Sequence, residues 1–523
     1  MLSSWLFSGE APELPSLSSV IVVNFGGQYT HLIARRVREF NVFSMIVGYR
    51  EFSREVVDRV KPCGIVLSGG PYSVYDPRSP RIGEWVLDLD VPVLGICYGF
   101  QLIASLAGGT VEEGRGEYGR TKIRVLRENN LFRGWRAEYV WMSHRDYVSD
   151  LPGSEILAVS ENGYIASYRL RGKEVYGIQF HPEVRHTPGG EKIFENFLFR
   201  IAKCRALWRV ENIAEQLVGG IKQIVASDEK VLVAVSGGVD STVTAVLLKK
   251  ALGERVVPVF INHGLLRLGE AEEALASLKS VGINPVYVDA SKDFVEKLVG
   301  TRRCEERRRI VSEEYARTLK EVASRDSSIK WLAQGTLYPD VIESGAIPHA
   351  DRIKSHHNVA GLPGWLGLKL LEPLRWFYKD EVRRIGRSLG LPRSIVEKHP
   401  FPGPGLAVRV VGEFTREKLE VARKATYIVE SVLRKHGFYN RVWQAFAVVG
   451  DDKWVGVKGD KRAVGYIVTI RIVESEDGMT ADYSKLPYSV LDEISSRITG
   501  EIPEVTMVTY AVTTKPPSTI EPC

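Results

Sequence analysis

A chain of 523 residues is too long to fold around one core and predicts roughly three domains. Its 44% hydrophobic and 26% charged content is that of a globular protein in water, and a net charge of +6 is too small for this length to argue for a nucleic-acid partner. The five cysteines form no C-x-x-C pair, so neither a disulfide framework nor a zinc site is expected; with no run near the roughly 18 apolar residues of a membrane span and no basic leader, a cytoplasmic protein is expected.

Residues 1–18, rich in Ser, Pro and Glu, predict a loose extension. Short apolar runs then alternate with helix-period stretches: strands at 20–23, 64–67 and 91–96, helices at 30–40 and 98–106. Such alternation predicts a mainly parallel sheet covered on both faces, with ligands at the carboxyl ends of its strands. There stands Gly95-Ile96-Cys97-Tyr98-Gly99, a cysteine between small residues at a strand-to-helix turn. This is the pattern of a nucleophile elbow, in which the helix N-terminus favours a thiolate. The strand at 175–180 ends in His181-Pro182-Glu183, an imidazole with a carboxylate to orient it. Ser68-Gly69-Gly70-Pro71, at another strand end, can offer backbone N–H groups to an oxyanion.

These residues resemble a class I glutamine amidotransferase domain over 19–205. The resemblance implies that Cys97 attacks the side-chain amide of glutamine and releases ammonia, leaving a thioester that water cleaves. It also implies that His181 and Glu183 complete the triad and that Gly70 and Tyr98 supply the oxyanion donors. Gln101, and Ser143 and His144 within Trp141-Met142-Ser143-His144-Arg145-Asp146, are expected at the glutamine pocket, although a small residue is usual where Arg145 stands.

Residues 200–228 read as helical, with a domain boundary near 206. An apolar run from Lys230 then breaks into Ser236-Gly237-Gly238-Val239-Asp240-Ser241 and resumes with helical pattern, which predicts strand, tight loop and helix. Such a loop aims backbone N–H groups at an anion, and with no Gly-Lys-Ser/Thr after the glycines it is not a Walker A loop. Strands at 256–261, 285–288 and 331–336 predict a second doubly wound sheet. The basic run at 302–309, interleaved with glutamates, predicts a mostly solvated helix face. Glycine- and proline-rich pieces at 361–364 and 399–406 read as lids or substrate loops.

The Ser-Gly-Gly-x-Asp-Ser pattern resembles the PP-loop of ATP pyrophosphatases, which split ATP between the α and β phosphates. The PP-loop matches together with 334–344, 353–358, 377–383, the proline-glycine loop and the ending Lys515-Pro516-Pro517-Ser518-Thr519-Ile520-Glu521. With them, residues 19–521 resemble the glutamine-hydrolysing GMP synthase family. The fold then implied is two doubly wound α/β domains, 19–205 and 206–406, followed by a smaller α+β domain at 407–523 that dimerises and closes over XMP. Residues 236–241 and Lys379 are implied to hold ATP, with Asp240 placing Mg²⁺, and Arg308, Gln444, Lys515, Ile520 and Glu521 to contact XMP. The chain departs from the family pattern at Asn24, Gly27, Ala360, Met507 and Ala511. Two other readings are a PP-loop enzyme that modifies tRNA and a nucleotide-sensing scaffold. The first wants a catalytic cysteine pair or a strongly basic face, and the second fits poorly with the joint presence of Cys97, His181, Glu183, Asp240 and Lys379.

Overall fold

A computed structural model describes residues 18–343, 367–475, 478, 480–515 and 517–523. The expected extension up to residue 17, the segments 353–358 and 361–364 and Ala360 lie outside the described residues. The chain divides into two compact units, one ending at Val210 and one beginning at Glu211, with 339–343 grouped with the first.

The first unit is built on nine strands: β1 (Ser19–Asn24), β2 (Phe43–Gly48), β3 (Gly64–Leu67), β4 (Val93–Ile96), β5 (Thr110–Val125), β6 (Tyr139–Asp150), β7 (Ser154–Ser160), β8 (Ile165–Leu170) and β9 (Val175–Ile178), in the order β2-β1-β3-β4-β9-β8-β7-β5-β6. The half from β2 to β9 is parallel, and β3, β4 and β9 are buried at every residue, as continuous apolar runs require when both sheet faces are covered. The other half is antiparallel, and along β6 buried and exposed residues alternate. Strand β4 starts two residues later than expected, just after Pro92, which has no N–H to donate to a ladder.

In the second unit β10 (Lys230–Ala234), β11 (Val256–Asn262), β12 (Val286–Asp289), β13 (Ile329–Ala333) and β14 (Lys369–Leu371) form a parallel sheet in the order β12-β11-β10-β13-β14. The chain runs outward from β10 to β12 and then returns to its other side at β13, so the crevice for a ligand opens at the carboxyl ends of β10 and β13. The expected helix at 200–228 is shorter, Val210–Ile224, and 203–209 is irregular, with Lys203 left-handed at φ 51°. Four further strands, β15 (Gln444–Lys458), β16 (Lys461–Glu474), β17 (Asp482–Tyr483) and β18 (Val505–Tyr510), form a smaller sheet around β16. Residues of helices Arg416–Lys435 and Tyr488–Glu501 share a core with β15 and β16.

One expectation is corrected, and another has a single exception. Cys63 pairs with Cys204 and Cys304 with Cys523, at Cα–Cα distances of 5.4 and 5.7 Å, leaving Cys97 as the free cysteine. Partners 141 and 219 residues apart leave no spacing signature to read. Within the basic run, Arg302, Arg303 and Arg309 are exposed but Arg307 is fully buried, its guanidinium donating to the carbonyls of Thr301, Ala407, Val410 and Gly412.

Candidate active sites

Cys97 sits between β4 and helix Tyr98–Leu106 with φ 54° and ψ −104°, a conformation that costs a non-glycine residue about 1–3 kcal/mol. The surrounding glycines explain how the strain is held. A Cβ on Gly99 would lie 2.3 Å from the Leu67 carbonyl oxygen, and one on Gly95 would lie 2.5 Å from the Gly99 oxygen. The helix therefore starts in backbone contact with β3, and the Gly99 N–H donates to the Ser68 carbonyl at 3.1 Å.

Strand β9 delivers the partner. His181 Nδ1 lies 2.7 Å from Glu183 Oε1, and the ring also hydrogen-bonds Cys97. Burial alone would lower the imidazole's affinity for protons, but the Glu183 charge, with Cys97 beside the ring, outweighs it and pushes the ring up to about 10. The ring's backbone is fixed as well. His181 N donates to Trp141 O at 3.0 Å, Trp141 N donates to Thr187 Oγ1 at 2.9 Å, and that hydroxyl donates to His181 O at 2.6 Å. Gly69 lies against both side chains, since a Cβ there would be 3.5 Å from His181 Cε1 and 3.7 Å from Cys97 Cβ.

Gly70 is packed so closely that a Cβ would meet the Phe25 carbonyl at 2.9 Å. Tyr98 anchors the helix start by donating its hydroxyl to Pro80 O. Gln101 is buried, its amide nitrogen donating to Asp146 O at 2.8 Å and to Gln179 Oε1 at 3.1 Å. On β6 the Ser143 carbonyl faces Cys97, with Sγ at 3.7 Å. His144, its neighbour, is buried with Nδ1 on Asp146 O at 2.8 Å and Nε2 at 3.0 Å from Glu117 Oε2, so both ring nitrogens are taken inside the fold. Tyr29 was not expected here, yet its ring packs edge-on to His181 at 5.1 Å. Burial and the Glu183 charge raise its phenol's pKa.

The second constellation lies at the end of β10. Helix Val239–Leu252 begins after Gly238, and Gly237 is left-handed at φ +73°, with room for a Cβ blocked by Ala274 at 2.6 Å. Side-chain hydroxyls hold the loop open. Ser236 N donates to Ser241 Oγ at 3.1 Å, Gly238 N to Ser236 Oγ at 3.3 Å, and Ser241 Oγ to Gly238 O at 3.2 Å. Val239 is buried beneath, while Asp240 in the first turn pairs through Oδ2 with Lys379. Its other oxygen, Oδ1, is buried with no hydrogen-bond partner among the described residues. An orphaned carboxylate oxygen beside a glycine cradle at a helix N-terminus fits a hard cation shared with phosphate oxygens. Lys379 opens helix Lys379–Ser388, and one turn on the half-buried Arg383 feels the Asp240 charge and lies 5.4 Å over Trp443. Arg383 was not singled out from the sequence, although its i, i+4 spacing from Lys379 could have drawn notice to it. Gly335, after β13, would place a Cβ within 3.2 Å of Asp240, so β13 closes directly on the loop.

Of the residues expected at XMP, three are brought together. Gln444 Nε2 donates to Glu521 Oε1 at 2.6 Å, and Arg308 Nη2 donates to the carbonyl of Cys523, two residues on. Lys515 is held in a backbone bridge to Ala481, and its ammonium donates to Gly478 O at 2.7 Å. Ile520 is half-buried in the same tail.

The chain matches the models of the class-I glutamine amidotransferases over residues 21–201, of NAD synthase over 211–317 and of the GMP synthase C-terminal domain over 431–522. A GMP synthase [glutamine-hydrolyzing] of Pyrobaculum aerophilum is 59% identical over 510 residues, 97% of this chain and 100% of that protein. The chain belongs to the glutamine-hydrolysing GMP synthase family. Enzymes of the same description from Carboxydothermus hydrogenoformans and Aquifex aeolicus are 49% and 48% identical, each covering 96% of this chain and 99% of the relative. Family membership thus spans both constellations, from Cys97 to the C-terminal tail. Among the described residues no helix is long and apolar enough to cross a membrane.

Proposed function

We propose that the chain converts XMP to GMP with nitrogen from glutamine: ATP, XMP, glutamine and water give GMP, glutamate, AMP and pyrophosphate. What supports this reading is the presence, on one chain, of two chemically different constellations: a strained cysteine with an oriented imidazole, and a glycine cradle flanked by Asp240 and Lys379.

In the first, Cys97 attacks the glutamine amide carbonyl, and Gly70 and Tyr98 N–H groups receive the developing oxyanion. His181, held by Glu183, gives its proton to the departing ammonia and then draws one from the water that cleaves the thioester. Ser143 and Gln101 shape the glutamine pocket, and His144 does so through its backbone, since its ring is engaged elsewhere.

In the second, the oxygen on the XMP ring carbon that must receive nitrogen is a poor leaving group until AMP is attached, so adenylation precedes amination. The loop at Ser236–Ser241 holds the pyrophosphate that leaves, and Lys379 neutralises it. Asp240 is the residue that would hold Mg²⁺, whose contribution when bound is to offset charge on the phosphates. Arg308 and Lys515 face the nucleotide phosphate and Glu521 accepts from the purine edge, with Gln444 and Ile520 beside it. Ammonia is mostly ammonium in neutral water, so its delivery to the adenylated purine must be guarded.

A homodimer is part of the reading. The β15–β16 hairpin exposes Trp454, Val455, Val457 and Val464, apolar side chains that a second copy would cover. Release of AMP and pyrophosphate with XMP, ATP and glutamine present tests the reading. XMP-dependent AMP formation in step with GMP supports it, and AMP formed without XMP overturns it.

A further inference from the structure

Arg409 is 1% exposed and lies in a tight turn just after the proline-glycine loop. Its guanidinium makes a two-pronged contact with the carboxylate of Glu521, Nη2 to Oε1 at 3.0 Å and Nε to Oε2 at 3.2 Å. The group lies over two rings, 4.1 Å from the centroid of Phe446 on β15 and 5.1 Å from that of Phe401 in the loop. Nη1 is buried without an acceptor among the described residues, a destabilising feature that stability alone would not select.

We propose that Arg409 is a positioning residue for nucleotide recognition: it fixes the plane and charge of the Glu521 carboxylate so that one lone pair on Oε2 is presented to a ring N–H of a dioxopurine. This rests on the reading that Glu521 contacts XMP. The donor count specifies the atom. Oε1 already accepts from Arg409 Nη2 and, at 2.6 Å, from Gln444 Nε2, whereas Oε2 accepts from Arg409 Nε. Each carboxylate oxygen carries two acceptor sites, so the open one is on Oε2. The Cys304–Cys523 bridge tethers the backbone two residues beyond Glu521, but it leaves the carboxylate's own rotation to be fixed by side-chain partners. The planar fork supplies the orientation that an ammonium, a point charge, cannot. Because Phe401 rides on the same guanidinium, the loop and the tail are set by one group.

The test uses the full-length protein in the ammonium-driven reaction at saturating ATP, with Arg409→Met, Arg409→Lys, Glu521→Gln and the double variant Arg409→Met/Glu521→Gln. Losing the charge-assisted pair is expected to raise KM for XMP roughly 10- to 100-fold in Arg409→Met, with KM for ATP unchanged. Arg409→Lys, which keeps the charge and much of the bulk, is expected to fall between it and the parent. The double variant is expected to be no worse than Glu521→Gln alone. If Glu521→Gln raises KM for XMP while Arg409→Lys and Arg409→Met leave it unchanged, the proposal is wrong. Effects that multiply in the double variant also overturn it, since Arg409 would then act independently of Glu521. If Glu521→Gln itself has no effect on KM for XMP, the underlying placement of XMP fails instead. Should Arg409→Met not fold, as judged by melting, the Lys variant alone decides: a KM for XMP equal to the parent's rejects the role.

Discussion

Gly99 holds the elbow closed, and enlarging it by one methyl group should separate the two reactions. In Gly99→Ala the new Cβ would sit 2.3 Å from the Leu67 oxygen and 2.8 Å from Leu67 Cβ. A carbon and a carbonyl oxygen come no closer than about 3.3 Å, so the helix start must retreat by about 1 Å from β3. Neither Leu67 oxygen nor the Gly99 backbone is a flexible group that could yield instead. The overpacking destabilises the first unit by about 1–3 kcal/mol. Its larger effect is on Cys97, two residues away, whose Sγ moves by a comparable distance relative to His181, whose ring is pinned by Glu183 and whose backbone carbonyl is pinned by Thr187. A misplacement of that size costs about 10²-fold in rate. Glutamate release from glutamine should therefore fall about 10²-fold, while GMP formation from ammonium salts at the second constellation is retained. If glutamate release stayed within about threefold of the parent in a folded variant, the geometry of the elbow would not limit the chemistry.

Glu183→Gln removes the main charge that raises His181, so burial should then pull the ring below its present value of about 10; NMR titration of the imidazole reads this, and an unmoved midpoint would contradict it. Burial holds His263 and His399 down to about 4, so both are neutral in the folded second unit and gain protons on unfolding once the pH falls below about 6.5. The stability they contribute is present above that value and lost toward pH 4, about 2 kcal/mol each by pH 5. Melting of the second unit should therefore drop between pH 6.5 and 5, a window above the carboxylate range, and a flat profile there would be inconsistent with two buried neutral imidazoles. Thiol titration of the unreduced, denatured chain should find one free cysteine, rising to five after reduction. Reduction should also lower the melting temperature, since each bridge closes a long loop worth up to about 5 kcal/mol.

The parallel cores were readable because a strand covered on both faces is an uninterrupted apolar run, as in Val231-Leu232-Val233, and because glycine pairs mark where such runs break. Strand β2 escaped notice: its Ser44 interrupts the apolar pattern, yet it is buried and spends its hydroxyl on the Ala34 carbonyl at 2.7 Å. The antiparallel half of the first sheet was missed because β5 and β6 alternate, and much of β5 is exposed and charged. The proposed nucleophile, base and phosphate loop lie in local motifs, so each could be proposed from a few residues. Tyr29 and Arg409 have no motif of their own. They matter through contacts made across more than a hundred residues, with His181 and Glu521, and only folding reveals such contacts. The same holds for the disulfides and for Arg307, a buried arginine in a run that reads as solvated.

On the proposed function, ammonia is made at Cys97 and consumed at a separate site organised by Asp240. The most direct measurement is GMP formation by Cys97→Ala and by Asp240→Ala, each with glutamine and with a high concentration of ammonium salt as the nitrogen source. Cys97→Ala should lose the glutamine-driven reaction and keep the ammonium-driven one near the parent rate, because adenylation and amination need no thiolate. Asp240→Ala should lose both, because adenylation precedes amination whatever the nitrogen source. A folded Cys97→Ala protein unable to use ammonium, or an Asp240→Ala protein with robust turnover at ordinary Mg²⁺, would contradict the claim.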